Sequence, residues 1–201
     1  FIIELKCYNI IEGVIKMAKI EVLEKYAKLV VEVGANVQKG QFVSVSSSTE
    51  TKEIARLIVK AAYNAGAKRV EVQWSDNYVA RSSYDSMSIE ALEEIPEWSI
   101  EKAKYFIKEN GCIINITSPI PGLNAGVDPK KMQASGVARM RAFKFYQDHM
   151  MGNHAQWTVV AAPNSVWAKK VFPDLNEGEA IEALWDAILQ ASRVTETNDP
   201  I

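Results

Sequence analysis

The chain has two cysteines and two histidines among 201 residues, and that scarcity removes several kinds of chemistry. Cys7 and Cys112 lie far apart in apolar surroundings. They have neither the spacing of a metal knuckle nor that of a redox pair, so they read as buried free thiols, which fits a reducing compartment. His149 and His154 straddle an expected helix end at Gly152, a spacing that does not put both rings on one face. Asp148 could add a ligand, yet catalytic zinc takes three well-placed protein ligands, and no Glu-x-x-His or His-Glu-x-x-His pattern is present. Surface or packing histidines are the reading preferred here, and no catalytic metal is expected on this chain. Gly-x-Gly-x-x-Gly, Gly-Lys-Ser and Gly-x-Ser-x-Gly are missing as well. Without those glycines a backbone cannot wrap a pyrophosphate or present a nucleophile elbow. No apolar run reaches the about 18 residues of a membrane span. Charge is nearly balanced, 23 basic against 25 acidic residues, and the signs are interspersed, so nothing favours nucleic acid or an acidic substrate through bulk charge.

What is present is ordinary for a globular chain: 48% hydrophobic and 24% charged residues. One domain of this length can bury roughly 70% of its unfolded surface. Ile20, Leu23, Ala27, Val30 and Val31 recur at helical spacing, with Gly34 as the stop. Phe42 to Ser46 alternates as a strand. A helix to Ala65 follows, lined by Ile54, Leu57, Ile58 and Ala61, and Lys68 to Trp74 is the next strand. Residues 42–74 thus form the strand–helix–strand crossover of a parallel sheet. The stretch from Asp76 to Ser86 is polar and shows no clear pattern. Ser88 caps a short helix from Ile89, Pro96 opens another ending near Gly111, and Cys112 to Thr117 is a third strand. A loop rich in proline and glycine leads to a long helix from Pro129 to about Gly152. Trp157 to Ala162 is the fourth strand, a β-branched run stopped by Pro163. The alternation predicts an α/β fold with a mostly parallel sheet of about four strands flanked by helices.

Each candidate for chemistry has a plainer alternative beside it. Ser46-Ser47-Ser48-Thr49 lies between a strand and a helix, where hydroxyls and free amides can hold an anion; capping of the helix is the preferred reading. Cys112 is flanked by isoleucine, as core thiols are. Lys130, Lys131, Arg139, Arg141 and Lys144 could bind a carboxylate or a partner, or form a solvated helix face. Glu90, Glu93 and Glu94 beside Trp98 could run acid–base chemistry if burial separated their pKa values, but the cluster reads as exposed. The five tryptophans, at 74, 98, 157, 167 and 185, suit core or interdomain packing better than base stacking.

The last forty residues carry the most specific pattern. Asn164 caps a two-turn helix from Val166 to Val171. Asn176 caps a longer one, with Glu177, Glu179 and Glu182 crowding its start and Arg193 near its end, as the helix dipole prefers. Ile181, Leu184, Trp185, Ile188 and Leu189 share one face. The Trp-Thr-Val-Val strand, the step at Pro163, Trp167 and Ala168, and the Glu-Ala-x-x-x-Leu-Trp-x-Ala-Ile helix stand in fixed order. In this the chain resembles the thermophilic aminopeptidases, metallopeptidase family M29, and the likeness runs more loosely back to about Met17.

The resemblance implies an enzyme of two domains, of which residues 17–194 look like the α/β N-terminal one. Residues 195–201 would begin a linker to a C-terminal metal-binding domain. Residues 1–16 read as an extension upstream of a natural start at Met17, or as one more helix or strand. Such enzymes remove N-terminal residues from peptides with two divalent metal ions, zinc or cobalt, held by carboxylates and histidines of the C-terminal domain. No position of this chain matches those ligands, so no catalytic, cofactor-binding or metal residue is carried over, and the fragment alone is expected to be inactive. A cytoplasmic homodimer, with this domain covering the active-site chamber, is also implied; nucleic acid and membrane are not expected partners. Two other readings stand beside it: a stand-alone α/β binding or scaffold domain without chemistry, and a nucleotide-binding enzyme using the loop after Ser46.

Overall fold

The computed structural model describes residues 20–198 and Ile201; the 1–16 extension, and Cys7 with it, lies outside them. Residues 20–29 are helical (α1) and run into a π-helical turn, Val30–Gly34, where the sequence predicts a plain helix. The wider turn shows in its bonds: the Ala35 N–H reaches Val30 O at 2.8 Å, five residues back. Gly34 sits where a Cβ would come 3.0 Å from Thr158 Oγ1, so the bare glycine lets the end of the helix lie against the last strand.

The chain then runs β1 (Phe42–Ser48), α2 (Lys52–Asn64), β2 (Arg69–Ser75), α3 (Asn77–Ser86), α4 (Ile89–Glu93), α5 (Glu97–Lys108), β3 (Cys112–Thr117), α6 (Pro129–Ala142), α7 (Lys144–Met151), β4 (Trp157–Ala161), α8 (Ser165–Val171) and α9 (Glu177–Ala191). All four expected strands lie in one sheet, all parallel, in the order β2-β1-β3-β4. That order explains where the helices go. A parallel crossover is right-handed, so stepping from β1 to β2 puts α2 on one face, and stepping back past β1 to β3 and β4 puts the intervening helices on the other.

The first face is closed. Val43, Val45, Cys112, Ile114 and Ile116 are each 4% exposed or less and pack with Tyr26, Ala27, Ile54, Ile58 and Leu189 of the covering helices. Tyr26 donates its hydroxyl to Ala161 O at 3.1 Å and meets Trp185 edge-on at 6.2 Å, which fixes α1 and α9 over β4. The second face carries only a small cluster of Phe42, Phe106 and Met150. Phe106 lies so tightly over Gly111 that a Cβ there would fall 2.3 Å from its ring. Beyond this cluster Asn115, Thr117 and Val159 are exposed.

Two elements differ from the sequence reading. The polar stretch after Asp76 is a helix, α3, whose start is capped by the Asp76 carboxylate accepting from the Tyr78 and Val79 N–H groups. It has no buried residue, so it leaves no hydrophobic periodicity to read. The long helix after Pro129 is broken at Phe143 (φ −105°, ψ 15°) into α6 and α7. Its halves have different neighbours: α6 packs on α4 and buries nothing, while α7 packs on α5 and buries Met150. One straight cylinder cannot serve both.

Candidate functional site

Where α6 stands away from the sheet, a cavity of about 820 Å³ opens between the second face and helices α5 to α7, within the usual size of a small-molecule site. Phe42, Ser44 and Gln73 supply part of its floor, and Trp98, Phe106, Phe143 and Tyr146 part of its walls. Gln73 Nε2 donates to the buried Ser44 Oγ at 2.9 Å, and Lys102 is paired with Glu71. The Arg139 guanidinium lies over the Phe143 ring, 5.6 Å from its centre. Burial pushes the Tyr146 hydroxyl up to about 12, so it is a neutral phenol at neutral pH. The lining suits apolar and aromatic groups.

The residues singled out in the sequence fall elsewhere. The serine run after β1 does not cap the helix that follows: neither Ser48 nor Thr51 makes a side-chain capping bond. Instead Ser47 Oγ meets Thr51 Oγ1 at 2.8 Å, and Thr51 donates to Ser48 O at 3.2 Å, with all three residues buried. Within the run expected to cap, Ser47 and Ser48 are turned inward and Thr49 is exposed, because the chain enters α2 through a 3₁₀ turn, Thr49–Thr51, which aims the Ser47, Ser48 and Thr51 hydroxyls at one another. The two histidines depart from the sequence reading in one respect, the separation of their rings. The chain reverses sharply after α7 and brings the rings of His149 and His154 to 5.4 Å, tilted by 32°. His149 Nε2 is buried without a partner among the described residues. Asp148 is taken up by Lys144 at 2.6 Å.

Cys112 faces the closed core, where burial pushes its thiol up to about 12, so it is no nucleophile at neutral pH. Glu90, Glu93 and Glu94 are exposed, and so is Trp98. Of the basic residues, Lys131 donates to Tyr84 O at 2.7 Å, Lys144 pairs with Asp148, and Lys130 and Arg141 face solvent.

Two polar ties at the C-terminal edge of the sheet escaped the sequence reading. Arg81 donates to Leu123 O and Ala125 O at 2.7 and 2.8 Å and pairs with Asp85, whose carboxyl this hydrogen bond holds below its usual range. The loop before α6 is thereby tied to α3. Asn164 caps α8 through the Trp167 N–H and donates to Ser118 Oγ and Pro119 O, both at 2.9 Å. The i, i+4 spacing of Arg81 and Asp85 was a visible signal; the reach of Asn164 across 46 residues was not.

Comparison with known proteins adds what geometry alone does not. The family model for the thermophilic metalloproteases of family M29 matches residues 19–201. The chain belongs to family M29. It is 44% identical over 176 residues to the aminopeptidase AmpS of Bacillus subtilis, covering 88% of this chain and 43% of that protein. It is 33% identical to aminopeptidase T of Thermus thermophilus over 89% of this chain and 44% of the relative. The solved structure of wild-type AmpT from Thermus thermophilus superposes with a TM-score of 0.79 at 32% identity, over 85% of this chain and 43% of that one. The chain therefore spans less than half the length of the M29 relatives it matches. A metalloprotease family implies divalent metal, and the residues present do not fit one. Among the described residues no three His, Cys, Asp or Glu side chains are grouped to hold an ion. The stacked histidine rings and the engaged Asp148 do not add up to a ligand set.

Proposed function

We propose that this chain is the N-terminal domain of a metal-dependent aminopeptidase, an enzyme that removes N-terminal residues from peptides. The observation that carries the reading is the unequal coverage: relatives named as aminopeptidases match 88–90% of this chain but only 43–44% of their own length. On this reading residues 17–194 are the domain and residues 195–201 start the linker. Two divalent ions, zinc or cobalt, belong to a second domain. What bound metal supplies in such an enzyme is a water of lowered pKa and a polarised scissile carbonyl. This chain's part is to bind and cover. Its open sheet face and aromatic cavity are suited to forming a wall of the active-site chamber, with a homodimer in the cytoplasm as the working form. Among the described residues no helix is long and apolar enough to cross a membrane.

The test is hydrolysis of aminoacyl p-nitroanilides by the 201-residue chain and by the product of the complete reading frame, each folded by circular dichroism and assayed with zinc and with cobalt. The complete product is expected to turn over and the isolated domain is not. Metal-dependent turnover by the folded domain alone overturns the division of labour. An inactive complete product across a panel of residues counts against the peptidase reading. It would favour a stand-alone binding domain, for which the cavity beside the sheet is the supporting feature.

A further inference from the structure

The two edges of the sheet are finished differently. At the β2 edge Arg69 and Glu71 bring charge, Glu71 is held by Lys102, and the Val70 N–H ends on the Tyr63 hydroxyl at 3.2 Å. Charges and side-chain bonds of this kind keep an edge strand from pairing further. The β4 edge has less of this protection: Trp157-Thr158-Val159-Val160-Ala161 contains no charge and no proline, and the Tyr26 hydroxyl covers the Ala161 carbonyl at its C-terminal end.

Its hydrogen-bond phase can be worked out. The Ile113 N–H donates to Gln156 O, and the Ala162 N–H donates to Thr117 O, both at 3.0 Å. Even-numbered residues of β4 therefore turn their backbone groups to β3, and Trp157, Val159 and Ala161 turn theirs away. Tyr26 takes the Ala161 carbonyl. The N–H and C=O groups of Trp157 and Val159 have no partner among the described residues. The same two side chains are 47% and 53% exposed on the open face. A polar cavity of about 500 Å³, lined by Gly34, Asn36, Asn153, His154, Gln156 and Trp157, lies at the N-terminal end of this strand.

We propose that the β4 edge binds an extended, uncharged peptide segment by antiparallel strand addition. The segment's backbone would pair with Trp157 and Val159, its alternate apolar side chains would lie beside the indole and the valine, and one end would enter the polar cavity. Peptide as the ligand class rests on the aminopeptidase reading; the free edge does not. Five residues of edge match a short peptide better than a second copy, because a stable protein interface needs about 800 Å² from each partner.

The probe is the blocked pentapeptide acetyl-Thr-Val-Thr-Val-Thr-amide, which has no free amino terminus and so cannot serve as an aminopeptidase substrate. Binding is therefore scored apart from hydrolysis, and a failure of either leaves the other standing. It is titrated into the 15N-labelled chain while the β4 amide resonances are followed. Saturable shifts of Trp157, Val159 and Ala161 are expected, with slower exchange of the Val159 amide. Val159→Pro removes an outward N–H that the β3–β4 ladder does not use, and it should weaken binding roughly tenfold, the worth of one or two net hydrogen bonds. If that variant unfolds, a probe N-methylated at its valines makes the same test on the unaltered protein, and the same loss is expected. Absence of saturable β4 shifts, or equal affinity after either change, overturns the proposal. So does a β4 edge already protected by concentration-dependent self-association in sedimentation, which would assign it to a second copy.

Discussion

The two faces of one sheet are built from the same four strands and yet end in opposite states. On the closed face Val45 and Ile114 have no exposure and are covered by three helices. On the open face, one residue along each strand, Asn115 and Val159 meet solvent and α6 arches over an 820 Å³ space without burying a side chain. Neighbouring positions of a strand point to opposite faces, so the difference lies in what the crossovers bring to each side. A covered face is where folding stability is concentrated. A half-covered one leaves aromatic side chains, an edge unpaired among the described residues and a cavity available for contacts outside the domain.

That contrast can be broken most directly at Ile114. Ile114→Ala leaves a void among fully buried neighbours and should cost about 4 kcal/mol, within the range for buried aliphatic truncations, read as a shifted denaturation midpoint with unchanged slope. A loss under about 1 kcal/mol would mean that the closed face is not the closed core described.

Alkali should attack the same face next. The folded pKa of Cys112, about 12, stands above the value of 9.0 for a free thiol because burial disfavours the thiolate. Only the unfolded chain ionises readily above pH 9. The contribution is therefore full below pH 9 and is lost as pH rises toward 12, amounting to about 4 kcal/mol. Unfolding free energy measured from pH 8 to 11 should fall in the native chain and fall less steeply in Cys112→Ala. Parallel slopes would show that the thiol is not shielded.

Asn164 joins the strand ends rather than either face. Asn164→Ala removes a helix cap and leaves Ser118 Oγ and Pro119 O without their donor, so about 2 kcal/mol should be lost. Thermal melts of Asn164→Ala and Asn164→Asp separate the two parts, because aspartate keeps the cap and cannot donate. Equal losses would put the whole effect on the donor side.

The open face predicts the smallest change. Trp98 is 71% exposed, and Trp98→Ala should move stability by less than about 0.5 kcal/mol. A larger loss would mean that the cavity wall is part of the folding core after all.

Much of the fold was legible because it is written in local chemistry. The four strands are short apolar runs with clear stops, and Asn164 and Asn176 signal the last two helices by capping. Asn176 and Glu179 form a reciprocal capping box. The family likeness was carried by the same stretch. α3 was not legible because its residues bury nothing, and the break at Phe143 was not because helical propensity runs straight through it. The serine run was misread since capping depends on the backbone angle at which a chain enters its helix, and here a 3₁₀ turn folds the hydroxyls inward. The approach of the two histidine rings was not legible for a similar reason: sequence spacing gives the helical phase but not the tight reversal after Gly152.

By itself the sequence determined that strands and helices alternate, which residues are apolar enough to be cored, and that the metal-binding motifs of a metallopeptidase are missing from it. Those follow from residue type and short-range periodicity, which a linear chain displays. Only the tertiary structure decided that β1 lies inside the sheet and β4 at its margin, that one face is sealed and the other left open, and that Trp157 and Val159 turn their backbone groups away from β3. Strand order and hydrogen-bond phase are relations between segments tens of residues apart. No periodicity within a segment encodes them, because they are set by the handedness of the crossovers and by which helices compete for the same face.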